Sequence, residues 1–254
     1  MAKKPPRVLV IAGSDSSGGA GIQADIKTIT MLGGYAMTAI TAITAQNTAG
    51  VQAVEVLSPE MVAAQARACI EDIGVDAVKI GMLGSAAVAD AVADLLQDLA
   101  VPIVFDPVMI ATNGARLADD PTIAAFERLM RLAALTTPNI SELDALGGAE
   151  AMAERGLCFL AKGGDAEGAI VTDVLYRPGA APLTWNDARI DTRHTHGTGC
   201  TLASAIATGL GAGVGLAPAI EQARAFVRSA LLAAPGLGAG QGPMGHQAVG
   251  RGSS

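Results

Sequence analysis

The sequence predicts an α/β fold built on a mainly parallel sheet with an antiparallel edge. Three observations carry this reading: β-type runs such as Val8-Leu9-Val10-Ile11-Ala12, capped helical patterns of ten to fifteen residues between them, and a change of character from Gly168 to Thr192. A continuous apolar run suits a strand covered on both faces, and alternation of such strands with helices implies right-handed crossovers between parallel neighbours.

The elements follow in order. The run Val8 to Ala12 ends in Gly13-Ser14-Asp15-Ser16-Ser17-Gly18-Gly19-Ala20-Gly21, and a helical pattern through Ile22, Ile26 and Ile29 comes next. A strand through Ile40 to Thr44 runs out at Gln46-Asn47-Thr48. Ser58-Pro59-Glu60 is a cap with proline at the first helical position and opens a helix to about Ile73, before a strand over Asp76 to Ile80. Ser85 starts a helix to about Leu99, Ile103 to Asp106 is a strand, Asp120-Pro121 caps another helix, and Leu135 to Thr137 is a short strand. Ala169 to Thr172, Val174 to Tyr176 and Ala188 to Ile190 read as strands joined by tight turns, which form the antiparallel edge. Helices over about Cys200 to Leu210 and Pro218 to Ala233 close the fold, and the Gly-rich tail 235–254 is expected to be partly disordered. Residues 1–254, half of them apolar, are enough for a single domain with a sizeable core.

Composition excludes several classes of partner. Net charge is −7, aromatic residues are 3 %, and no basic run extends beyond Lys3-Lys4, so neither nucleic acid nor an anionic membrane is expected as a partner. Cys69, Cys158 and Cys200 are an odd count without paired spacing, which predicts free thiols and a reducing cytoplasm. The apolar run at the N-terminus, Val8 to Gly13, is too short for a signal segment or a membrane span.

The chemistry concentrates in Thr195-His196-Gly197-Thr198-Gly199-Cys200-Thr201, placed just ahead of an apolar helix. Two glycines let the backbone approach a ligand, and the helix start turns unpaired N–H groups and its positive dipole end toward that point. Such an anion hole suits a phosphoryl group and would lower the pKa of a thiol at Cys200. Plain helix initiation accounts for the same glycines equally well when the heptad is taken alone.

Other strand ends add to it. Gln46-Asn47-Thr48, Gly81-Met82-Leu83-Gly84, Asp106-Pro107-Val108-Met109, Thr137-Pro138-Asn139 with Glu142, and Lys162-Gly163-Gly164 bring amides, two carboxylates and a lysine to one edge of the sheet. Carboxylates for Mg²⁺, a cation and backbone donors for phosphate, and a base for the attacking hydroxyl are what metal-assisted phosphoryl transfer requires. Each residue has a plainer reading as well: Asn139 as a helix N-cap, Glu142 and Asp25 as early-helix dipole residues. Gly19-x-Gly21-x-x-Ala24 matches a relaxed dinucleotide pattern, yet Ile43-Thr44-Ala45-Gln46 stands where an acidic residue belongs, and no Gly-Lys-Ser/Thr completes a Walker A loop. A hydrolase with Cys200 as nucleophile and His196 as base, and a zinc site of His194, His196 and Cys200, are weaker alternatives.

Together these segments, with Ala12 to Lys27, Ala45 to Thr48 and Lys79 to Leu83, resemble the hydroxymethylpyrimidine and phosphomethylpyrimidine kinases of thiamine biosynthesis, in order and over nearly the whole chain. The resemblance implies a ribokinase-like three-layer αβα sandwich and ATP-dependent phosphorylation of 4-amino-5-hydroxymethyl-2-methylpyrimidine and its monophosphate. It implies a pyrimidine pocket of Gly13, Asp25, Gln46, Met82 and Val108, with Asp25 and Gln46 pairing with the ring. Cys200 would be the base, with Gly197, Thr198 and Gly199 as the anion hole. Lys162, Asn139 and Thr198 would meet the nucleotide, and Asp106 and Glu142 would lie near Mg²⁺. A homodimer is implied as well. Residues 143–161 are shorter than the family pattern and Asp165 replaces a frequent histidine, which implies a less firmly held Lys162 and weaker ATP binding. A kinase tuned to pyridoxal or a pyrimidine antimetabolite is the nearest alternative, and a non-catalytic pyrimidine sensor the alternative of another class.

Overall fold

The structure, a computed structural model, describes residues 4–110 and 117–249. Its strands are β1 (Arg7–Asp15), β2 (Tyr35–Asn47), β3 (Gly50–Val56), β4 (Ala77–Ile80), β5 (Ile103–Phe105), β6 (Leu135–Thr136), β7 (Phe159–Ala161), β8 (Ile170–Arg177) and β9 (Ala180–Ala188). The helices are α1 (Gly21–Met31), α2 (Pro59–Asp72), α3 (Ala86–Leu96), α4 (Asp120–Leu132), α5 (Ile140–Ala145), α6 (Gly148–Glu154), α7 (Thr198–Gly211) and α8 (Leu216–Leu232).

All nine strands form one sheet in the order β3-β2-β1-β4-β5-β6-β7-β8-β9. Pairs from β2 to β7 are parallel, and β3, β8 and β9 are antiparallel additions at the two edges. Alternation along β1 shows why the fold has three layers. Leu9 and Ile11 join the core beneath α2, α3 and α4, whereas Val8, Val10 and Ala12 join the core beneath α1, α7 and α8. Five residues of one strand, all essentially inaccessible, thereby anchor both apolar layers.

Helix starts follow their caps. Ser58 Oγ accepts the Met61 N–H at 3.2 Å ahead of Pro59, and Ser85 Oγ accepts the Val88 N–H at 3.2 Å. On α4 the cap is Asp119, which accepts the Thr122 N–H at 2.9 Å; Asp120, expected as the cap, lies one residue later in the first turn.

Two expectations about the strands are corrected. The segment from Ala169 to Tyr176 contains one strand rather than two, since β8 is continuous and turns through Pro178-Gly179 into β9. A second antiparallel edge, β3, lies at the far side of the sheet, where none was expected. The tail as far as Val249 is placed in part against the body: residues 235–239 are exposed, whereas Met244 and His246 are buried and Gly245 donates its N–H to the Ala230 carbonyl at 2.9 Å. A Cβ on Gly245 would stand 1.9 Å from the Ala233 carbonyl oxygen, so its glycine content permits close packing rather than freedom. Residues 250–254 lie outside the described residues.

Candidate active site

The parallel strands end at a cavity of about 770 Å³, the position expected of ligand sites in open α/β sheets. Gly13 from β1, Gln46 from β2, Met82 after β4, Asp106 and Val108 after β5, Asn139 and Glu142 after β6 and Lys162 after β7 all line it. Gly197, Thr198, Gly199 and Cys200 at the start of α7 complete the wall. Gly13 and Met82 meet closely: a Cβ on Gly13 would stand 2.3 Å from Met82 Cε.

The start of α7 is set by close backbone approach. Gly197 is its N-cap at φ +86°, and a Cβ there would also stand 2.0 Å from the Gly19 carbonyl oxygen, so only glycine fits. The Thr198 N–H donates to the Thr195 carbonyl at 3.2 Å, while the first-turn N–H groups of Gly199 and Cys200 have no acceptor within the helix. Lys162 and Asp106 come up to this turn. A Cβ on Gly199 would stand 3.2 Å from Lys162 Nζ and 3.5 Å from Asp106 Oδ2.

Lys162 Nζ donates to Asp106 Oδ1 at 2.7 Å, and Thr137 Oγ1 donates to the same oxygen at 2.9 Å. Burial opposes the Asp106 charge, but Lys162 and Lys79 outweigh it and hold the carboxyl below its usual value. Glu142 goes the other way: burial foremost, with repulsion from Asp106, pushes it up to about 7. Asn139 and Glu142 form a reciprocal capping box on α5, the side-chain oxygen of Asn139 accepting the Glu142 N–H at 2.9 Å and Glu142 Oε2 accepting the Asn139 N–H at 2.8 Å. The cap reading of Asn139 therefore holds, and its amide nitrogen is the part left to meet a ligand. Lys162 is not loosely held behind the short segment, because its backbone N–H also donates to the Pro138 carbonyl at 2.9 Å.

Two expectations fail here. Asp25 does not line the cavity; it is wholly buried on α1, accepting from Lys79 Nζ at 3.0 Å and Ser204 Oγ at 2.6 Å. Its carboxylate is consumed by a buried cation, as an interior charge requires. The Cys200 thiol is not activated at rest. Burial foremost, with repulsion from Asp25 and Asp106, pushes it up to about 11 against the attraction of Lys79 and the bond from the Gly21 N–H.

His196 points to Asp15, with Nε2 2.8 Å from Oδ2, and this orientation removes the support for a His196–Cys200 hydrolase pair. Among the described residues no three His, Cys, Asp or Glu side chains group to hold a metal, so the zinc reading has no support either. The reading of the sequence also passed over Lys79. A lysine inside the apolar strand Ala77-Val78-Lys79-Ile80 was the available signal, since a buried cation needs a partner in the fold.

A mainly parallel sheet between two helical layers, with a glycine-lined anion hole beside a lysine and two carboxylates, defines a phosphotransferase of the ribokinase-like class. Residues 15–245 match the family model described as phosphomethylpyrimidine kinase. A hydroxymethylpyrimidine/phosphomethylpyrimidine kinase of Rhizobium meliloti is 46 % identical over 255 residues, covering 94 % of this chain and 96 % of the relative. Among solved structures, a phosphomethylpyrimidine kinase from Clostridium difficile 630 is 36 % identical with a TM-score of 0.75, covering 89 % of this chain and 99 % of that one. Pyridoxal kinase of Bacillus subtilis, in an ADP complex, is 32 % identical with a TM-score of 0.86, covering 96 % and 98 %. The chain belongs to the phosphomethylpyrimidine kinase family.

Proposed function

We propose that residues 1–254 act as one kinase domain that transfers the γ-phosphoryl group of ATP to the hydroxymethyl group of 4-amino-5-hydroxymethyl-2-methylpyrimidine, and then to its monophosphate, on the route to thiamine diphosphate. The observation that carries the proposal is the sharing of one cavity by the ring-side residues Gln46, Met82 and Val108 and the phosphate-side residues Asp106, Lys162, Gly199 and Cys200.

The Gly199 and Cys200 N–H groups and the Lys162 ammonium receive negative charge on the transferring phosphoryl, with Thr198 and the Asn139 amide nitrogen alongside. Phosphoryl transfer passes through a loose transition state, so the attacking hydroxyl gives up its proton late and needs little base before then. Cys200 accepts that proton in its thiolate form, which a pKa of about 11 keeps scarce at neutral pH. Asp106 and Glu142 fit Mg²⁺ by chemistry, being hard oxygen donors whose mutual repulsion a dication relieves. When bound with the nucleotide, the ion neutralises charge on the phosphates.

Likeness to pyridoxal kinases supports a second reading, in which pyridoxal is the accepted alcohol. A pyrimidine-binding protein without catalysis is the reading of another class. Coupled ADP release with the pyrimidine, its monophosphate and pyridoxal compared at millimolar Mg·ATP tests all three: turnover highest with the two pyrimidines supports the proposal, and turnover with pyridoxal alone overturns it. No turnover despite pyrimidine binding leaves the sensor.

Two further parts belong to the proposal. The three free thiols support a reducing, cytoplasmic setting, and no helix among the described residues is long and apolar enough to cross a membrane. Exposed Val54 and Val56 on the edge strand β3 support the homodimer, which light scattering would read as twice the chain mass.

A further inference from the structure

Gln46 is held by Ser16 from the loop after β1, by Thr44 of its own strand β2 and by His196 ahead of α7. Ser16 Oγ accepts the Gln46 N–H at 2.8 Å and donates to the Gln46 carbonyl at 2.8 Å, clamping its backbone. Thr44 Oγ1 lies 3.0 Å from the Ser14 carbonyl and 3.1 Å from Gln46 Oε1, and has one hydrogen to give to the two. His196 Nε2 lies 2.8 Å from Asp15 Oδ2 and 3.4 Å from Gln46 Nε2.

Counting protons decides which way round the amide lies. The Asp15 carboxylate also gathers the N–H groups of Ser17, Gly19 and Ala20, at 2.8, 3.1 and 2.8 Å. A carboxylate offers only acceptors, so His196 Nε2 must carry the proton between them. A second N–H cannot face that proton, and the single Thr44 hydrogen serves the nearer acceptor, the Ser14 carbonyl. Exchanging the two amide atoms, which are interchangeable in shape, turns the Gln46 oxygen toward His196 and lets the amide nitrogen donate to Thr44 Oγ1. The one His196 Nε2 proton is then shared, given chiefly to Asp15 Oδ2 and in part to the Gln46 oxygen.

We infer that the Asp15–His196 pair is a positioning device for substrate selection: it fixes the orientation of the Gln46 amide and thereby the order of donor and acceptor that the cavity shows to a ring. With oxygen and nitrogen each holding one partner, one lone pair and one N–H remain. A ring with an amino group beside a ring nitrogen offers the complementary edge, and a reversed amide would set donor against donor. A pyridine ring that carries a hydroxyl and an aldehyde lacks that edge. This inference rests on the pyrimidine kinase reading and names what makes the site prefer its substrate.

The test is a double-mutant cycle of His196→Phe and Gln46→Leu, read by calorimetric Kd for the aminopyrimidine and for ADP and by KM and kcat. His196→Phe keeps a ring on Gly19, whose Cβ would stand 2.3 Å from His196 Cδ2, and removes the donor. A lost bond of this kind predicts a rise of about 10- to 100-fold in Kd and KM for the pyrimidine. ADP affinity should stay within about twofold, and His196→Phe should add nothing once Gln46 is leucine. His196→Gln, which restores a donor, should recover part of the loss. Additive losses in the cycle, or an equal loss of ADP binding, overturn the positioning role while pyrimidine turnover by the native protein stands. A native protein that takes pyridoxal and not the pyrimidine overturns the substrate reading, and the inference with it.

Discussion

Gly199 lacks a side chain at the point of α7 where a Cβ would meet two charges, Lys162 Nζ and Asp106 Oδ2. Gly199→Ala must displace that ion pair or the helix start by a fraction of an ångström, and kcat is expected to fall about 10²-fold, the usual cost of a small misplacement at a reacting centre. Circular dichroism should show the fold unchanged. Cys200→Ala should lower kcat by about 10²–10⁴ with little change in KM. Because the thiol is pushed up to about 11 and acts when deprotonated, kcat of the native protein should rise with pH from 7 toward 10, and the slope should vanish in Cys200→Ala. Asp25→Leu is expected to be a stability variant: it takes from buried Lys79 the carboxylate it bonds, leaving only the more distant attraction of Asp106, at a cost of about 3–5 kcal/mol in urea unfolding. At this scale the strand-end residues were legible as types at fixed places in motifs. The Lys79–Asp25–Ser204 network was not, since its members lie 54 and 179 positions apart and only the packed layers bring them together.

The helices were the most legible elements, because serine, proline and aspartate at their starts act through local bonds that a sequence displays. The expected helix from Ser58 to about Ile73 is α2 within a residue or two, and the expected start near Cys200 is α7, which begins two residues earlier. Strand β3 was missed for a physical reason. Its side chains are mostly exposed, so Gly50 to Val56 has no apolar alternation strong enough to separate it from the loop after Gln46. The break placed inside β8 came from polar Asp173, which the sheet accommodates by pairing it with Arg224 and the Gly163 N–H. An element-scale prediction follows from α7. Gly197→Ala would add a Cβ to a left-handed N-cap pressed against the Gly19 carbonyl, so the helix start must shift. Loss of stability of about 1–3 kcal/mol is expected, together with a loss of nucleotide affinity in calorimetry.

Across the whole molecule, Asp15 ties the first loop to the start of α7, and its charge carries part of the acid stability. Burial works against that charge, yet bonds from His196, Ser17 and Ala20 prevail and hold the carboxyl at about 2, below the usual carboxylate range. A depressed carboxyl stabilises the fold above its unfolded pKa and ceases to do so as pH falls through the folded value. Acid unfolding should therefore steepen between about pH 4 and 2, a contribution of about 2 kcal/mol that Asp15→Asn should remove from the pH profile. The layered α/β architecture was visible in the sequence because β1 and its neighbours are apolar on both faces; the packed part of the tail was not, since glycines that serve close approach look the same as glycines that confer freedom. The central claim, phosphoryl transfer to a hydroxymethyl group on an aminopyrimidine, is tested most directly by phosphorus NMR of a reaction containing the protein, the pyrimidine and Mg·ATP. A phosphomonoester signal coupled to the hydroxymethyl protons, growing with ADP and followed by a pyrophosphoryl ester, is the predicted result. Inorganic phosphate in place of the ester, or ATP left intact while the pyrimidine is bound, would contradict it.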